Sequence, residues 1–192
     1  MNLPNYLTLS RIVITFVIMG LLFVGNFMAS CAAFVLFVAA CLTDLADGWL
    51  ARRKGLISDF GKIMDPLADK ILVLGLFLTF VQLQLIPAWM VAVIMAREFF
   101  VTGLRIFALR RGVVLAAENA GKHKTVSQMG AISLIMLFIL LKESGYYFSF
   151  WDRRYEEAFR AGIWVMMISA LLLTVYSGAA FVWRNRKLIK TL

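Results

Sequence analysis

Apolar residues dominate six stretches of the chain, at 12–27, 29–42, 71–86, 87–96 continuing through 99–104, 126–141 and 161–183, and the charged residues gather between them. A helix needs about 20 apolar residues to cross the hydrocarbon core of a bilayer. Several of these stretches are shorter, and each reaches that length by extending into the polar segment beside it. The pattern predicts an all-α integral membrane protein of six transmembrane helices, preceded by a short interfacial N-terminal segment over residues 1–10 in which Pro4 fixes the approach to the first helix. No long repeat, low-complexity tract or Pro/Gly/Ser-rich linker interrupts the pattern, so residues 1–192 are expected to form a single membrane-embedded domain.

Composition agrees with the pattern. Of 192 residues, 62% are hydrophobic and 16% charged, and the mean hydropathy is +0.85, far above an ordinary soluble domain. The net charge of +9 is unevenly placed. Arg11, then Arg52, Arg53, Lys54 and Lys62, then Arg105, Arg110, Arg111, Lys122 and Lys124, then Arg184, Arg186, Lys187 and Lys190 all fall on one side of an even-numbered bundle. On the other side, the connections at 25–30 and 82–87 carry no charge, and 142–160 balances Lys142, Arg153, Arg154 and Arg160 against Glu143, Asp152, Glu156 and Glu157. The positive-inside bias then sets both termini and the connection between the second and third helices in the cytoplasm, as expected for a multi-pass membrane protein. The excess positive charge reads as topology and attraction to anionic lipid, not as nucleic-acid binding. Cys31 and Cys41 read as buried thiols. Ala29-Ser30-Cys31 has the form of a lipoprotein cleavage site, but the apolar run before it is longer than a signal core and no basic residue precedes Arg11, so a retained first helix is expected.

Against this background one segment spends four carboxylates at fixed spacing: Asp44, Asp47, Gly48, Ala51, Arg52, Gly61, Asp65 and Asp69. At about 100° per residue, Asp44, Asp47, Gly48 and Ala51 share one face of a helix, with Arg52 at its edge. Gly61, Asp65 and Asp69 recur every four residues and stack on the next helix, where Pro66 is tolerable near the first turn. The connection at 53–60 is short enough for the two helices to run antiparallel, face one another and bring the carboxylates together. Each ionised side chain costs about 3 kcal/mol near the bilayer centre. Two divalent cations would balance the four charges, and an all-oxygen donor set suits Mg2+ or Mn2+ better than zinc. Two metals about 4 Å apart form a clamp for phosphoryl transfer. Gly48 and Gly61 allow a bulky ligand near the helix backbones, and Arg52 can grip a phosphate with its planar fork. The structural alternative is a set of solvated charges paired with Arg52, Lys62 and Lys70, which requires neither the glycines nor two matched faces. Lys70, beside Asp69, suits that alternative.

The pattern resembles, at every fixed position and without gaps, the signature of the CDP-alcohol phosphotransferase family, membrane enzymes that join an alcohol to a group drawn from a CDP-linked donor. The resemblance implies a six-helix membrane fold, commonly a homodimer, with a polar cavity open to the cytoplasm and two divalent metals on the aspartates. It implies that Asp44, Asp47 and Asp65 are metal ligands, that Asp69 joins the metal site and is the general base, and that Gly48, Ala51, Arg52 and Gly61 line the CDP site. Three further segments are similar to those of bacterial phosphatidylglycerophosphate synthases: Asn2-Leu3-Pro4-Asn5 with Thr8 and Arg11; Ala96-Arg97-Glu98-Phe99 with Thr102-Gly103-Leu104-Arg105; and Gly121-Lys122-His123-Lys124-Thr125 with Gln128. Beyond about residue 130 only hydropathy matches. The resemblance places Asn5 and Thr8 near the donor's diphosphate, although Asn5 is equally well read as a helix cap.

These segments imply CDP-diacylglycerol as donor and glycerol 3-phosphate as acceptor. A dianionic acceptor needs extra cations, and Arg105, Lys122 and Lys124 supply them at the aspartate face. Arg97 lies deeper with Glu98 beside it, either touching phosphate or forming a buried ion pair. Arg110 and Arg111 read as flanking charges, and His123 carries no assigned role. Two other readings stay open: a different acceptor, such as inositol phosphate, serine or phosphatidylglycerol, and a divalent-cation transporter, whose permeating ion Arg52 and the lysines would repel.

Overall fold

The computed structural model describes the backbone of residues 3–54, 59–111, 120–148 and 151–190, and their side chains except those of 3–7, 44–54, 59–63, 65, 66, 120–122, 146–148 and 187–190. Among the described residues all regular structure is helical: α1 (Leu3–Val24), α2 (Phe27–Lys54), α3 (Asp59–Gln82), α4 (Ala88–Arg110), α5 (Ala120–Phe148) and α6 (Arg153–Lys190). The expected helices are present but longer than the apolar stretches, because each continues into its polar flank. At about 1.5 Å per residue, the 28 residues of α2 and 38 of α6 exceed a bilayer core of about 30 Å. Residues 3–10 form the first turns of α1, with Pro4 where an amide hydrogen has no helical partner. Pro66 is the eighth residue of α3, well inside the helix and beyond the first turn expected for it. The polar segment 142–160 is mainly the two helical ends of α5 and α6, tied together by Lys142 to Glu156 at 3.2 Å.

Local chemistry explains the breaks. Gly25, at φ +66°, ends α1 in the left-handed region, and Asn26 Oδ1 then accepts from the Ala29 amide at 2.8 Å to cap α2. Pro87 precedes α4 with extended geometry, while the Asp152 carbonyl accepts from the Tyr155 amide at the start of α6.

The helices form a closed ring. α1 packs against α2 and α3, α3 against α4, α4 against α6, α6 against α5, and α5 against α2, and one contact, α3 with α5, crosses the middle. Gly75 lets α1 approach α3, since a Cβ there would lie 3.2 Å from Met19 Sδ. Ile18, Phe37, Leu76, Phe77, Phe80, Ile94, Ile132 and Ile135 fill the core away from the polar end. Hydroxyls inside the bundle bond back to their own helix, as Thr15 Oγ1 does to the Arg11 carbonyl at 2.8 Å, and Gln128 Nε2 reaches Thr174 Oγ1 at 3.1 Å across α5 and α6. Outward, Phe16, Met28, Val35, Phe100, Val165, Leu172 and Trp183 are exposed around the circumference. No soluble monomer leaves so much apolar surface uncovered; it faces lipid. His123–Gly145 and Arg153–Arg186 are long and apolar enough to cross a membrane alone, and Thr8–Val24 and Phe27–Thr43 form shorter apolar helices.

Candidate active site at the polar end of the bundle

The start of α1, the first half of α3, the second half of α4, the start of α5 and the end of α6 bring their polar residues to one end. There Arg11 Nη1 donates to Asp69 Oδ1 at 2.9 Å. The Arg11 side chain is 4% exposed and that of Asp69 53%, so a buried cation holds an accessible carboxylate. Thr8 lies one turn before Arg11 and is buried. On α3, Lys70 Nζ donates to Thr102 Oγ1 of α4. Glu98 Oε1 accepts from Arg97 Nη1 at 3.0 Å and also from Lys124 Nζ, while Arg97 Nη2 donates to Ser177 Oγ at 2.8 Å. Arg97 fits against α6 because residue 178 is glycine: a Cβ there would come 2.9 Å from Arg97 Cγ.

The central contact between α3 and α5 divides the interior into two compartments. A cavity of about 410 Å³ lies among α1, α2, α3 and α5, lined by Arg11, Phe37, Ala40, Cys41, Asp69, Leu72, Met129 and their neighbours. It is mainly apolar, with Arg11 and Asp69 in its wall. A smaller cavity of about 190 Å³ lies among α3, α4 and α5, lined by Asp69, Lys70, Glu98, Lys124, Thr125 and Gln128 over Val73 and Leu74. Asp69, Val73 and Thr125 belong to both, so the Asp69 carboxylate stands in the partition.

Asp44, Asp47, Gly48, Ala51 and Arg52 lie in the last half of α2, and Gly61 and Asp65 early in α3, with side chains outside the described residues. The same holds for Asn5 in α1 and Lys122 in α5. Among the described residues α2 and α3 do not touch; the larger cavity separates them, and α1 and α5 bridge them on either side. Along their described parts the two helices flank this cavity, and the facing of their aspartate-bearing ends, 44–52 and 61–65, lies outside the described residues. Arg97 turns towards α6, and exposed Arg105 sets its guanidinium 5.1 Å from the centre of the Phe181 ring. Cys31 and Cys41 are only half-buried, and both are free thiols.

Two residues at this end, Arg11 and Lys70, are placed by the structure where their sequence context alone does not put them. Arg11 counts as a topological charge in the distribution of basic residues, and its position three residues after Thr8 and four before Thr15, inside an apolar helix, is the signal that marks it as interior. Lys70 suits a structural ion pair by its place beside Asp69, and the apolar run it opens, continuing to Ile86, is the signal that it points into the bundle.

No group of three or more His, Cys, Asp or Glu side chains comes together among the described residues. Asp44, Asp47, Asp65 and Asp69 carry only hard oxygen donors, a chemistry that fits a divalent cation such as Mg2+.

The sequence profile of CDP-alcohol phosphatidyltransferases matches residues 1–184. The chain is 40% identical to the CDP-diacylglycerol–glycerol-3-phosphate 3-phosphatidyltransferase of Bacillus subtilis, over 99% of its own length and 98% of the relative's. It is similar to a probable phosphatidylglycerophosphate synthase of Mycobacterium tuberculosis, at 38% identity over 95% and 81% of the two chains. A further CDP-diacylglycerol–glycerol-3-phosphate 3-phosphatidyltransferase, from Rickettsia typhi, is 40% identical over 71% of this chain and 76% of its own.

Proposed function

The chain belongs to the CDP-alcohol phosphatidyltransferase family, and on that premise we propose that it transfers the phosphatidyl group of CDP-diacylglycerol to glycerol 3-phosphate, giving phosphatidylglycerophosphate and CMP in a bacterial membrane. The observation that carries this reading is the place of Asp69 in the wall between a larger apolar-sided cavity and a small polar one. A reaction between a lipid and a small charged alcohol needs two such compartments, with a proton acceptor where they meet.

The donor comes laterally from the bilayer, its lipid end in the larger cavity and its cytidine towards Gly48, Ala51 and Gly61. Asn5 and Thr8 border the diphosphate, and Arg52 draws charge from its oxygens. Asp44, Asp47, Asp65 and Asp69 would hold two Mg2+ or Mn2+ ions. When bound, these neutralise phosphoryl oxygens and the departing phosphate. Asp69 accepts the proton of the acceptor's terminal hydroxyl as that oxygen bonds to the phosphorus bearing diacylglycerol. The bond from that phosphorus to the bridging oxygen breaks, and CMP leaves with the bonding electrons. The basic residues the sequence assigns to the acceptor, Lys122, Lys124, Arg97 and Arg105, favour a phosphorylated one. We place this end of the bundle and both termini in the cytoplasm of a multi-pass inner-membrane protein, from the distribution of Lys and Arg, and take the working unit to be a homodimer, as is common in the family.

Purified protein given CDP-diacylglycerol and a panel of acceptors is expected to release CMP with glycerol 3-phosphate. Release only with inositol phosphate, serine or phosphatidylglycerol would reassign the acceptor, and metal uptake by liposomes holding the protein without donor lipid would favour a transporter. Arg11 gives a second prediction. Its guanidinium fixes the carboxylate that takes the proton, and a charge-assisted bond of this kind contributes about 1.5–3 kcal/mol, with half-exposed Asp69 pointing to the low end. Arg11→Met should therefore lower kcat about tenfold, with Arg11→Lys recovering part of the loss. Unchanged turnover in Arg11→Met would remove Arg11 from the site.

A further inference from the structure

The small cavity holds more positive charge than the sequence pattern assigned to it. Two of its lining groups are carboxylates, Asp69 and Glu98, and each is backed by an arginine from outside the cavity wall, Arg11 and Arg97 respectively. Among the described residues that leaves the ammonium groups of Lys70 and Lys124 as the surplus. Lys124 shares Glu98 with Arg97, and the partner of Lys70 is a neutral hydroxyl, Thr102. An ammonium has three donors, so each lysine keeps N–H groups to offer after these bonds. Among the described residues, Arg11, Arg97, Lys70 and Lys124 stand against the two carboxylates here, a net positive charge that is costly inside a membrane bundle, and a dianion between the two lysines offsets it. Among groups that a small polar acceptor can carry, a phosphate has that charge and the oxygens to accept from both.

We infer that Lys70 is a specificity-determining residue for the acceptor: its ammonium closes with that of Lys124 on the acceptor's phosphate, which sets the free hydroxyl against the neighbouring Asp69 carboxylate. The inference rests on the proposed transfer reaction and adds a residue to it. Because Lys70 follows Asp69 directly on α3, one helix fixes both the phosphate anchor and the proton acceptor, and the reach from one to the other favours a short phosphorylated alcohol. The roughly 190 Å³ volume agrees, being too small for a lipid acceptor.

The test uses the full-length purified protein in mixed micelles with CDP-diacylglycerol and follows initial CMP release. Lys70→Met is expected to raise KM for glycerol 3-phosphate about ten- to a hundredfold, the loss of one charge-assisted contact, while KM for the donor stays as in the wild type. Lys70→Arg should recover most of the affinity. A Lys70→Met protein whose two KM values rise together, or whose kcat falls at unchanged acceptor KM, would make Lys70 a structural residue and overturn the inference. A readout independent of variant folding is protection of the wild-type side chain: glycerol 3-phosphate, but not glycerol, should slow acylation of Lys70 by a small amine reagent, followed by peptide mass, and equal rates would overturn the inference. Failure of the proposed reaction is visible separately, as wild-type protein that releases no CMP in response to glycerol 3-phosphate.

Discussion

Asp69→Asn is expected to lower turnover about a thousandfold, within the range that a positioned general base supplies, while CDP-diacylglycerol still binds. Asparagine keeps the size and one oxygen of the side chain, so Arg11 Nη1 still has an acceptor near the 2.9 Å position and the local packing survives. What disappears is a group able to take a proton at the partition between the two cavities. The donor lies mainly against other residues, so its KM should change little. The check is steady-state CMP release with both substrates varied, together with binding of the donor lipid to the variant. Turnover within about tenfold of wild type would fall below what general-base catalysis contributes and would remove Asp69 from that role.

Removal of divalent cations should have a comparable effect. With excess chelator, CMP release is expected to fall to background, and added Mg2+ or Mn2+ should restore it. Four aspartates on two membrane helices otherwise repel one another and the donor's diphosphate, and no His or Cys among them offers a softer alternative. Asp47→Asn should shift the metal concentration needed for half-maximal activity upward by at least about tenfold, since a ligand charge is lost. Full activity in chelator would contradict the metal site while leaving the phosphatidyl-transfer chemistry to be explained by Arg11, Arg52 and the lysines alone.

The sequence carried the number and order of the helices because burial in lipid writes itself as continuous apolar runs, which need no partner to be recognised. It carried the aspartate pattern because helical periodicity puts Asp44 and Asp47, and likewise Asp65 and Asp69, on common faces. It failed where the outcome depends on how helices pack. Pro66 reads as a helix-start residue from its local chemistry, yet α3 begins seven residues earlier, at Asp59. The cavity between the described parts of α2 and α3 depends on how α1 and α5 pack beside them, and nothing in the spacing of the aspartates reports on its width. Arg11, Lys70, Glu98 and Lys124 come from α1, α3, α4 and α5, and their convergence is a property of the closed ring. The same packing turns Arg97 towards Ser177 on α6, a residue 80 positions away, which local sequence cannot foresee.

The most direct measurement is the mass of the lipid formed when purified protein is incubated with CDP-diacylglycerol, Mg2+ and isotopically labelled glycerol 3-phosphate. The predicted result is phosphatidylglycerophosphate carrying the whole label, formed in equal amount with CMP and absent when acceptor is omitted. CMP release without a labelled lipid would mean that water or another alcohol is the acceptor, and would contradict transfer to glycerol 3-phosphate at Asp69.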